Sequence, residues 1–193
     1  MGLFDKFKKK DVPNVSQVDS QLPDAGAKPQ SLYNELDVAF GEGLFYFIDC
    51  PVEKAIERVT NVLKITDAPI KLSDGAIKLG ALMVGTMGKW TVFVSHELDE
   101  DAWDNHTDAE SRFLQLAQND EAIYARYNED VLSCYFIALR NGKIVRLFCE
   151  DMDYPDMNKN EGQSSVGIIN DMDNFADVTA VIQAIIQNQI TNV

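Results

Sequence analysis

The sequence predicts an α+β fold, a mostly antiparallel sheet with helices packed on one face. Three observations carry that expectation. Two β-rich runs, residues 134–139 and 144–148, flank Asn141-Gly142, a pair suited to the positive φ angles of a type I′ turn. Two shorter alternating runs, 70–72 and 76–79, face each other across Ser73-Asp74-Gly75. Stretches at about 51–64, 108–119 and 174–190 repeat apolar residues at helical spacing.

Taken in order, residues 1–10 (MGLFDKFKKK) are basic, and a helix would gather Leu3, Phe4 and Phe7 on one face. So short a segment is not a stable helix alone. The Met-Gly start resembles a myristoylation signal, but Lys6 stands where Ser or Thr is required. Residues 11–30 hold Pro13, Pro23 and Pro29 among Ser, Gln and Asp, a linker composition. The chain therefore divides into a basic tail and linker at 1–30 and a single domain at 31–193.

Within that domain, Gly43-Leu44-Phe45-Tyr46-Phe47-Ile48 reads as a strand. Asp49 or Pro51 opens a helix whose stripe is Val52, Ile56, Val59 and Leu63, with Glu53, Glu57 and Arg58 outside it. After the 70–79 hairpin, a glycine-containing turn at 85–88 leads into the strand Trp90-Thr91-Val92-Phe93-Val94. Thr107 or Asp108 caps a helix to about Asn119 that turns Phe113, Leu114 and Ala117 inward. Beyond the 131–150 hairpin come a polar loop to residue 164 and a short strand, Ser165-Val166-Gly167-Ile168-Ile169. The last helix buries Val178, Val181, Ile182, Ile185 and Ile186, with Asn174 as its cap and Asp177 three residues on.

Charge is the strongest functional signal. The chain carries −14 over 193 residues. Its first ten residues have four Lys against one Asp, +3, which leaves −17 for residues 11–193. Glu97, Asp99, Glu100, Asp101, Asp104, Asp108 and Glu110 fall in one stretch with no Lys or Arg, and Trp103 and His106 sit among them. A second acidic stretch, Asp151, Asp153, Tyr154 and Asp156, again sets an aromatic among carboxylates. Such a balance repels nucleic acid and speeds encounter with a basic protein. No apolar run approaches the ~18 residues of a membrane span, and no apolar h-region follows the N-terminal lysines, so the expected compartment is the cytoplasm.

Motifs for chemistry fail one by one. Cys50, Cys134 and Cys149 are odd in number and widely spaced, the pattern of buried reduced thiols in strands. Asp156-x-Asn158-x-Asn160 opens like a calcium loop, but Glu161 occupies the place of the turn glycine and Gly167 that of the bidentate Glu. Gly80, Gly85 and Gly88 lack the spacing and the following Lys of a phosphate loop. The expectation is therefore no catalytic residue, no metal and no cofactor. Partner-binding residues would be Glu97, Asp99, Glu100, Asp101, Trp103, Asp104, Asp108, Asp151, Asp153, Tyr154 and Asp156.

Residues 89–162 combine a Trp-led strand (Trp90-Thr91-Val92-Phe93-Val94), a helix with Leu116-Ala117, Tyr124 and Tyr127 in a strand, and the aromatic Tyr135-Phe136. That strand turns at Asn141-Gly142 into Lys143-Ile144-Val145-Arg146, and an acidic loop ends in Glu161-Gly162. This arrangement resembles the cytoplasmic immunity proteins that neutralise polymorphic or type VI-delivered bacterial toxins. The resemblance implies a non-enzymatic inhibitor that acts by occlusion and is acidic because the toxin face it covers is basic. Two other readings stand beside it. One is a peripheral membrane or envelope adaptor, tethered through weak contact of residues 1–10. The other is a metal-dependent hydrolase using the 150–161 loop.

Overall fold

β1, Glu42–Ile48, is the strand around which the sheet is built. The computed structural model describes residues 31–39, 42–95, 106–128, 130 and 132–193. The expectations for the 1–30 tail lie outside them. Ahead of β1 comes α1, Leu32–Ala39, and after it α2, Val52–Leu63. A meander follows: β2 (Ile70–Lys71), β3 (Ile77–Leu79), β4 (Leu82–Met87) and β5 (Trp90–Ser95). Next are α3 (His106–Ala117), β6 (Ala122–Asn128), β7 (Ser133–Arg140) and β8 (Lys143–Glu150). A 3₁₀ turn at Pro155–Met157, β9 (Lys159–Gly162), the one-turn α4 (Gly167–Asn170) and α5 (Phe175–Ile186) complete the order.

The nine strands among the described residues form one sheet in the order β2-β3-β4-β5-β1-β6-β7-β8-β9, and every neighbouring pair is antiparallel. β1 lies between the two meanders, with Phe45 opposite Val94 on one side and Ala125 on the other. The α+β class expected from sequence is the one found. Helices, however, cover both faces rather than one. Phe45, Phe47, Val92, Phe136 and Phe148 pack with α1 and α5, while Leu44, Tyr46, Phe93, Tyr124 and Ile137 pack with α2 and α3. A strand buried on both sides reads as a continuous apolar run, which is what residues 43–48 and 134–139 are.

The face under α2 and α3 centres on aromatic rings. Tyr46 lies 5.0 Å from Tyr124 and 5.7 Å from Phe113, and Tyr124 lies 6.0 Å from Tyr135. Trp90 belongs to the opposite core and donates its indole N–H to Ile190 O at 3.2 Å, fixing the chain beyond α5 to the sheet. The turn between β7 and β8 is the expected type, with Asn141 at φ 53 and Gly142 at φ 69. The α5 cap is also as expected: Asn174 Oδ1 accepts from Ala176 N and Asp177 N, and Asp177 Oδ2 accepts from Asn174 N.

Four local readings are corrected. Gly85 is not in a turn but inside β4, where a Cβ would collide with the Leu32 side chain of α1. A strand follows the 150–158 loop at β9, and residues 165–169 are not a strand: Asn170 clasps Ser164, accepting from its N–H at 2.7 Å and donating to its carbonyl at 2.9 Å, which turns the chain into α4. Arg58 does not lie outside the buried stripe of α2; it is 7 % exposed and held between α2 and α3. The last helix ends at Ile186 rather than Ile190 because Asn188 takes φ 57 and Gln189 N and Ile190 N both turn back to Ala184 O.

Candidate functional site

The register gives the sheet two ends of different electrostatic character. At the end where β1 finishes, cations and carboxylates are paired. Lys89 Nζ lies 2.7 Å from both Asp49 Oδ2 and Glu121 Oε2, and Arg140 Nε lies 2.9 Å from Glu121 Oε1. Arg140 also donates to Ser165 Oγ at 2.7 Å. Burial works against the Lys89 charge, but Asp49 and Glu121 outweigh it and raise the Lys89 pKa. Burial likewise opposes the Glu121 charge, and hydrogen bonds from Lys89 and Arg140 overcome it, so the Glu121 pKa is lowered. Asp49, expected as a helix cap, instead belongs to this cluster, and Pro51 occupies the cap position of α2.

Close by, Arg58 joins α2 to the end of α3. Its Nη1 donates to Leu116 O and Ala117 O, both at 3.2 Å, and its Nη2 lies 2.7 Å from Asp120 Oδ2. These are the carbonyls a helix C-terminus leaves without intrahelical donors, so Arg58 closes α3. The cleft between α2 and α3, about 230 Å³ and lined by Lys54, Glu57, Arg58 and Gln115 among others, thus has a structural joint as its wall.

The opposite end, where β1 begins, gathers Glu150 and the acids of the following loop and of α5, with Lys159 and Arg126 nearby in the register. Ser95, Asn128, Ser133 and Glu150 come together there through the pairings of β5, β6, β7 and β8. Glu150 Oε2 accepts from Phe175 N at 2.7 Å, which brings the start of α5, with Asp173 and Asp177, to the same end. The loop after β8 adds Asp151, Asp153 and Asp156. That loop is built rather than merely polar. Asp151 Oδ1 accepts from Asp153 N and Tyr154 N, both at 2.9 Å, and Asn158 Oδ1 accepts from Asp151 N at 2.7 Å. The turn leaves Tyr154 68 % and Met152 62 % exposed, with Asp153 and Asp156 exposed beside them. Among the described residues, neither Asp153 nor Asp156 meets a cation at ion-pair distance.

Of the residues singled out from sequence, Asp151, Asp153, Tyr154 and Asp156 are thus brought together on one loop. Glu97, Asp99, Glu100, Asp101, Trp103 and Asp104 lie outside the described residues, as does the side chain of Asp108, whose backbone belongs to α3. The chain enters that undescribed segment from Ser95, at the acidic end of the sheet. The loop's oxygens do not converge as a calcium site would require: Asn158 Oδ1 is engaged with Asp151 N, and Asn160 Nδ2 points to Met172 O at 3.5 Å. Among the described residues, no group of three or more His, Cys, Asp or Glu is placed to hold a metal ion.

The cysteines are buried and free, as expected, although Cys50 follows β1 rather than lying in a strand. Burial pushes the Cys134 thiol up to about 12 and raises Cys50, so neither is a ready nucleophile at neutral pH.

Arg146 escaped the sequence reading. It is 2 % exposed, on the same face of β8 as Phe148. It donates to Ile169 O, Leu147 O and Glu161 O at 3.0–3.1 Å, and to Met172 O and Asn170 O at 3.3 and 3.5 Å. One guanidinium thereby fastens β9 and the 169–172 segment behind the acidic loop. The signal available was alternation: Arg146 stands two residues from Phe148, at an inward position. No helix among the described residues is long and apolar enough to cross a membrane. Comparison with protein-family models, with curated proteins and with solved structures finds no match to this chain.

Proposed function

We propose that this chain is a non-enzymatic binding protein that neutralises a basic toxin or effector by covering it, working in the cytoplasm as immunity proteins do. The reading rests above all on the division of charge. Cations are paired with carboxylates at one end of the sheet, while the other end shows Asp153 and Asp156 with no ion-paired cation among the described residues. Fixed like charge on a rigid scaffold steers an oppositely charged protein and raises its association rate. Tyr154 and Met152 supply exposed apolar surface within that field, the composition of an interface anchor. The proposal also takes in the acidic segment at 97–110, with Trp103, on its composition alone.

The test is whether a gene neighbouring this one encodes a basic protein that binds this chain, followed by isothermal titration and stopped-flow association. Tyr154→Ala is expected to weaken affinity by about 30-fold, the ~2 kcal/mol of an interface anchor. Asp153→Asn with Asp156→Asn is expected to slow association mainly at low salt. Unchanged affinity and rate in folded variants would remove the loop from the contact surface.

A further inference from the structure

β9, Lys159–Gly162, forms one edge of the sheet. It pairs with β8, and all four of its residues are exposed. A bare edge strand is a template for another strand. We propose that β9 is a self-association site at which a second copy of this chain adds its own β9, antiparallel, about a two-fold axis through Asn160.

The first support is the strand's own charge order, Lys159-Asn160-Glu161-Gly162. Pairing about Asn160 sets Lys159 opposite Glu161 of the second copy, and Glu161 opposite its Lys159. Both side chains stand on one face. β8 pairs Lys159 with Cys149 and Glu161 with Leu147, and these two belong to the core under α2 and α3. Asn160 turns the other way, toward Met172 O. Directly opposed unlike charges on one face stabilise a strand pair, and a two-fold axis supplies the contact twice.

The second support is long-range. A chain of net charge −14 resists meeting its copy with like ends aligned. Antiparallel addition reverses one copy. The acidic loop before β9 then adjoins the opposite sheet end of its neighbour, where the exposed Lys143 lies. The strand is also held ready for pairing. Arg146 grips Glu161 O at 3.0 Å, and Gly162, at φ +79, fits against Val145 O, where a Cβ would come within 2.5 Å. The strand pairing itself uses the edge of the sheet; only its long-range charge contribution shares the 150–158 loop with the basic-partner reading.

Sedimentation equilibrium of the full chain, at roughly 1–200 µM, tests it, since a pairing of four residues per copy gives a weak dimer. The expected result is a monomer–dimer equilibrium. Lys159→Glu and Glu161→Lys, each singly, should raise the dimer dissociation constant roughly tenfold or more. The double variant carrying both changes should restore it. Asn160→Cys should form a disulfide-linked dimer under mild oxidation, because residue 160 meets itself on the axis while the native cysteines are buried. A monomer throughout the range, or a dimer that neither single reversal weakens, would overturn the proposal. Circular dichroism confirms that these surface variants are folded.

Discussion

Replacing Arg146 with Met keeps a long flexible stem in the core and removes every donor of the guanidinium. Three strong bonds disappear, to Glu161 O at 3.0 Å and to Ile169 O and Leu147 O at 3.1 Å, together with the longer ones to Met172 O and Asn170 O. Each carbonyl left without a donor costs about 1–3 kcal/mol. Part of that returns, because the charge no longer has to be buried; burial is what lowers the Arg146 pKa, against the pull of Asp173. The net expectation is a loss of about 3 kcal/mol, or a fall in Tm of about 6–12 °C for a chain of this length. Arg146→Lys should fall between wild type and Met, since an ammonium has three donors and no planar fork. Thermal and urea melts measure the size, and hydrogen exchange locates it. Amides of β9 and of residues 164–172 should lose protection before those of β1. Two results would refute the reasoning: a Met variant within about 0.5 kcal/mol of wild type, or exchange that rises evenly over the sheet.

Three further outcomes follow from the same geometry. Glu121 has a lowered pKa, so its contribution is present above the ordinary carboxylate value of 4.5 and is lost as pH falls through the folded value. Lys89 has a raised one, so its contribution is full below 10.5 and is lost as pH rises past it. Urea melts across pH should therefore show an acid limb that is shallower in Glu121→Gln. Phe113→Ala, which empties the ring contacts to Tyr46 at 5.7 Å and Tyr124 at 5.5 Å, should cost about 3–5 kcal/mol in the same assay. Asn174→Ala removes the cap that holds Ala176 N and Asp177 N and should cost about 1 kcal/mol, with faster exchange confined to the first turn of α5.

The residues that sequence reading placed well are those whose structure is decided locally. Asn141-Gly142 makes its turn because the backbone there needs positive φ. Asn174 with Asp177 makes a capping box from side chains three residues apart. What escaped was decided by distant partners. Gly85 looks like a turn residue until Leu32, more than fifty positions earlier, is packed against it. Arg58 and Arg146 look like surface charges until Asp120 and the carbonyls of residues 169–172 arrive from elsewhere in the chain. The second helical layer was written in the unbroken apolar runs of β1 and β7, whose lack of alternation signals burial on both faces. For the site, the acids and Tyr154 could be named in advance. Their gathering at one end, away from the ion-paired cluster, comes only from the strand register.

Hydrogen–deuterium exchange of the free chain and of its complex with the basic partner tests the charged-end reading most directly. Slowed exchange on binding is expected in residues 150–158 and in the first turn of α5, with the turn at Lys89 and the β7–β8 turn at Asn141-Gly142 unchanged. Slowed exchange at those turns instead, with 150–158 exchanging as in the free chain, would contradict it.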